Sequence, residues 1–149
     1  MITKELYCRY LNILHEELVP AMGCTEPIAI AYAAAKAKEI LGCMPARAEV
    51  GVSGNIVKNA KSVVVPHTGG LRGIRAALAA GLVAGDANRQ LQVISGISAG
   101  QYKKIGRFAE DFPAEITVPD DAEIFDIRVR LFGGGHTSFV RLAGDHTNI

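Results

Sequence analysis

Leu6, Tyr10, Ile13, Leu14 and Leu18 recur at helical spacing among charged neighbours, which predicts an amphipathic helix from about Thr3 to Leu18. Pro20 ends it, and "AMGC" reads as a bend. From Thr25 the pattern becomes a nearly unbroken run of small and apolar residues, "IAIAYAAA", before Lys36 and Lys38. Thr25 is placed to cap this second helix, with Glu26 and Pro27 in its first turn, where acid and proline both suit the free amides. The helix is expected to reach Leu41 and stop at Gly42 in a left-handed cap. Its small-residue face lets neighbours approach closely, so it is expected to be the central buried helix.

After Pro45 the periodicity shortens. "RAEVGVSGN" alternates as a strand, "IVKNAK" reads as a short helix, and "SVVVP" reads as a buried strand stopped by proline. A glycine-rich loop, "HTGGLRG", leads into the helical "IRAALAAGLVAG", and a further helix covers about Ile97 to Asp111. Three strands follow, "AEITVP", "EIFDIRVRLF" and "HTSFVRLAG", the last two joined by a hairpin at 133–135. The pattern predicts one α+β domain over residues 1–149, with helices packed on a mixed or mainly antiparallel sheet.

Composition narrows the function classes. The chain is 49% hydrophobic and 21% charged, which suits a packed core rather than disorder. A net charge of +1 leaves no basic footprint for nucleic acid or an anionic membrane surface. Lysines break the best apolar run before it reaches the ~18 residues of a membrane span. "MITKELYCRYLNILHEEL" lacks the basic start and apolar block of a signal peptide, and three cysteines suit reduced thiols. A cytoplasmic location is the expectation.

The candidate chemistry begins at Cys24. A cysteine at a helix start has its thiolate favoured by the dipole and free amides, whereas elsewhere it simply packs. Cys43 lies past the far end of the same helix, roughly 25 Å away at about 1.5 Å per residue. A metal–sulfur bond is about 2.3 Å, so one compact centre cannot reach both. Cys8 reads as packing within its helix. His15, His67 and His136 read as solvated or packed, since no pair has metal-ligand spacing.

On a helical turn, Asn55, Lys58 and Asn59 share a face that suits an amino-acid zwitterion, with Lys58 toward the carboxylate; the alternative is a solvated turn. "HTGGLRG" reads as a weak anion-binding loop that fits no P-loop. In "DHTN", Asp145 and His146 read as an oriented base or as a surface turn.

Taken in order, "VPAMGCTEPIAIAYAAA", "NIVKN", "VVVPHTGGLRG" and the terminal "HTNI" resemble the L-cysteine desulfidase family, relatives of the alpha-type domain of iron–sulfur L-serine dehydratases. The resemblance runs from Val19 to Ile149. It implies β-elimination of L-cysteine to pyruvate, sulfide and ammonia on a [4Fe–4S] cluster, without pyridoxal phosphate. Cys24 matches the N-terminal cluster ligand. Asn55, Asn59, Thr68, Thr147 and Asn148 fall on recurrent polar positions expected to bind substrate, with Lys58 or His146 as the base. Family members continue past "HTNI" with further cluster cysteines. The chain is therefore expected to act as an N-terminal half, inactive alone, that needs a cysteine-bearing C-terminal half or partner subunit and exposes apolar surface able to self-associate. His67 stands where a small residue is expected, and Gly54 where proline is common. The same residues allow L-serine dehydration, or a non-catalytic amino-acid-binding or assembly domain in which Cys24 only packs.

Overall fold

The computed structural model describes residues 2–18 and 20–149; Val19, where the resembling stretch begins, lies outside them. Thr3 starts the first helix, α1 (Lys4–Glu17), by accepting the Leu6 amide on its hydroxyl at 3.3 Å. The apolar stripe that its periodicity announces meets no core: Tyr10 remains 50% exposed and Leu18 71%. Cys8 is exposed on the same helix, so the expectation that it packs is corrected.

The second helix, α2 (Thr25–Leu41), is the centre of the molecule, with Ile28, Ala29, Ile30 and Ala31 wholly buried. Gly42 ends it at φ 75°, as a residue without Cβ allows. Its start differs from the expectation: Cys24 occupies the cap position and Thr25 is the first helical residue, with no side-chain capping bond.

The other elements are β1 (Arg47–Val52), α3 (Gly54–Ala60), α4 (Gly73–Ala84), α5 (Tyr102–Asp111), β2 (Ala114–Thr117), β3 (Asp126–Gly133) and β4 (His136–Ala143). The strands form a mixed sheet of order β2-β1-β3-β4, with β1 parallel to β2 and antiparallel to β3. α2 lies between this sheet and α4, packing on β3 and β4 with one side and on α4 with the other. Helix–helix approach is closest at Gly81, where an added Cβ would collide with the Ala31 carbonyl. At the sheet side, the buried Ser138 hydroxyl donates to the Ala37 carbonyl at 2.7 Å. Among the described residues no helix is long and apolar enough to cross a membrane.

The hairpin forms as expected: Gly134 and Gly135, at φ 58° and 77°, turn β3 into β4 with Gly133 opposite His136. "SVVVP" does not form a strand. Val65 donates to Leu71, and Gly73 to Val63, so the segment folds back across the glycine loop, leaving one bridge between Val64 and Arg72. The helix expected from Ile97 begins later, as a short 3-10 turn (Ala99–Gln101) before α5, and a second 3-10 segment (Ala87–Gln92) precedes it.

A buried ion network closes the sheet's end. Asp126, 1% exposed, accepts from Arg128 at 2.9 Å and from Arg141 at 2.8 Å. Burial opposes its ionisation most, yet these bonds and the Glu123 amide together hold its carboxyl down at about 2.

Candidate active site

The bend before α2 is built from Gly23, whose φ of 122° suits a residue without Cβ; an added Cβ would sit 3.1 Å from Pro66. This contact sets the bend against the loop that follows α3. Cys24 comes next, half-buried, and its thiol donates to Glu26 Oε2 at 3.1 Å. The other carboxylate oxygen, Oε1, accepts from Asn59 Nδ2 of α3 at 3.0 Å. Thr25 Oγ1 also donates to Oε2, at 3.4 Å. Glu26 therefore joins the start of α2 to α3, and it is the residue that sequence reasoning missed. The sequence showed it only as a favourable first-turn acid.

The electrostatics correct the expectation of a thiolate at this helix start. Burial raises the Cys24 pKa most, the hydrogen bond to the Glu26 side chain and its negative charge raise it further, and the Glu26 backbone amide only partly offsets them. These effects favour the thiol over the thiolate. Glu26 moves the other way: burial opposes its charge, but the Cys24 thiol, its own backbone amide, Asn59 and the charge of His146 together lower its pKa. His146 packs tilted against Phe125, with ring centroids 4.3 Å apart and planes at 51°, and its Nε2 is buried without a hydrogen-bond partner.

The remaining candidates are distributed more widely. Lys58 is exposed on α3. Asn55 lines a separate groove with Ser53, Pro119 and Ile124. Thr68 is buried and donates to the Val65 carbonyl at 2.7 Å, fixing the loop. The Thr147 amide and hydroxyl both donate to Asp145 Oδ1, and Asn148 donates to the Ala143 carbonyl at 2.8 Å. His15, His67 and His136 are exposed.

The donor set bears directly on an iron–sulfur cluster. A thiolate beside the Glu26 carboxylate would place two anions in contact, an arrangement that a cation relieves, so Cys24 fits as one ligand. Among the described residues, no group of three His, Cys, Asp or Glu side chains gathers to hold a metal. Cys8 and Cys43 are both exposed, and Cys43 lies past the opposite end of α2.

Comparison with known proteins gives a different family name from the one the motifs suggest. A protein of Desulfitobacterium hafniense is 49% identical over 143 residues, which is 96% of this chain and 33% of that protein. One of Lachnoclostridium phytofermentans is 45% identical, over 97% of this chain and 34% of its own length. One of Treponema denticola is 40% identical, over 99% and 34%. All three are named UPF0597 proteins. This corrects the resemblance to the L-cysteine desulfidase family: the UPF0597 name specifies no reaction, and none of these relatives is named as a desulfidase or a serine dehydratase. The chain spans about a third of the length of the curated UPF0597 proteins it matches. No family model matches the chain, and no solved structure matches it.

Proposed function

We propose that this chain supplies one wall of an amino-acid lyase site that performs β-elimination on a thiol- or hydroxyl-bearing amino acid. The observation that supports the reading is Glu26, whose carboxylate holds the Cys24 thiol and the Asn59 amide at the same time. β-Elimination needs an acceptor for the α-proton. The released electron pair forms the Cα–Cβ double bond as the Cβ–sulfur or Cβ–oxygen bond breaks, and the leaving group departs with a proton. The enamine product then takes up water to give pyruvate and ammonia.

Residues of this bend, of α3 and of the C-terminal loop are assigned to these requirements. Asn59 fixes Glu26, so one carboxylate oxygen stays aimed at the Cys24 thiol. His146 Nε2, without a partner, is the nearby nitrogen suited to proton transfer. Lys58, exposed on α3, is available to pair with a substrate carboxylate. Cys24 would be one ligand of a [4Fe–4S] cluster, a group that supplies Lewis acidity toward the leaving atom. Thr68, Thr147 and Asn148 hold the surrounding loops through their local bonds.

The test is co-expression of this chain with the unmatched two-thirds of the Desulfitobacterium hafniense relative, assayed for pyruvate release from L-cysteine and L-serine. Cys24→Ser should lower release by on the order of 100-fold or more, and Asn59→Ala by about tenfold. Unchanged release by Cys24→Ser, or no release by the unaltered pair, would end the reading.

A further inference from the structure

We propose that the apolar stripe of α1 is a docking surface for a polypeptide equivalent to the two-thirds of the UPF0597 relatives that lies outside the match. Leu6, Tyr10, Leu11, Ile13 and Leu14 occupy one arc of the helix, Leu18 follows at its end, and all are 37–71% exposed. A continuous apolar arc of this kind marks an interaction site, because an isolated helix of 14 residues is only marginally stable in water. Leu11, Leu14, His15 and Leu18 already shape a groove on it.

The occupant is indicated by the relatives. A match covering 99% of this chain necessarily contains α1, so the helix belongs to the shared third of a protein about three times longer. α1 also leads, through the bend at Gly23, directly to Cys24. In chain order the stripe thus precedes the thiol that is hydrogen-bonded to Glu26. The docking does not depend on the cysteine chemistry, and its readout is exchange rather than turnover.

The test compares backbone-amide hydrogen exchange in this chain and in the intact Treponema denticola relative. In this chain the α1 amides should exchange close to the free-peptide rate. In the intact relative the corresponding helix should exchange at least about tenfold more slowly. Equal exchange in the two would overturn the proposal. Sedimentation of this chain gives the second arm: a monomer at micromolar concentration agrees with it, whereas a dimer dispersed by Leu14→Lys assigns the stripe to a second copy and overturns it. Cys24→Ser should leave every one of these readings unchanged, which separates failure of the docking from failure of the lyase reading.

Discussion

At Glu26, one carboxylate oxygen faces a thiol and the other an amide, and the two bonds stabilise the ionised carboxylate while making thiol ionisation harder. Replacing the carboxylate by a neutral amide removes the negative charge that opposes the thiolate. Glu26→Gln should therefore lower the Cys24 pKa and speed its alkylation near pH 8 by roughly threefold or more. Iodoacetamide kinetics with Cys8 and Cys43 replaced by serine read this sulfur alone; a slower rate would contradict the charge argument. The sequence identified the cysteine and the asparagine but not the acid between them. An acidic side chain in a first helical turn has an ordinary explanation in the helix dipole, and only the fold shows that it points at α3.

Among the elements, α2 and α4 share a seam of alanine and glycine that brings their backbones together at Gly81 and Ala31. In an exposed helix, Gly→Ala gains about 1 kcal/mol from propensity. Here the new methyl meets a backbone carbonyl, so Gly81→Ala should instead destabilise by about 3 kcal/mol, measured as a lower urea midpoint at unchanged slope. A close approach to α2 was legible because the alanines of "IAIAYAAA" give it a small-residue face, and the hairpin because consecutive glycines supply two positive-φ residues. "SVVVP" misled for a physical reason. Three valines carry strand propensity wherever they stand, but Val63 and Val65 take their backbone partners from the glycine loop, leaving no ladder to extend. The α1 periodicity was equally clear, and the sequence correctly gave its helix, but an amphipathic period does not say which body covers it.

For the whole molecule, the acid limit is set where β3, β4 and the preceding loop meet at Asp126. Its folded pKa of about 2 lies below the ordinary value of 3.8, so the stabilisation is complete above pH 4 and is lost as pH falls through about 2. The lost stability is about 2 kcal/mol, and Asp126→Asn should flatten the fall in urea midpoint over that window. No such dependence was legible in the sequence, because Asp126 stands in a strand of alternating charges and its partners are Arg128 beside it and Arg141 on the next strand. The Ser138 hydroxyl has a mechanical consequence of its own. By hooking the Ala37 carbonyl, it resists the long central helix screwing along its axis past the sheet. The bond thereby ties the central helix to the edge strand β4 at a point well removed from Cys24 at the helix start.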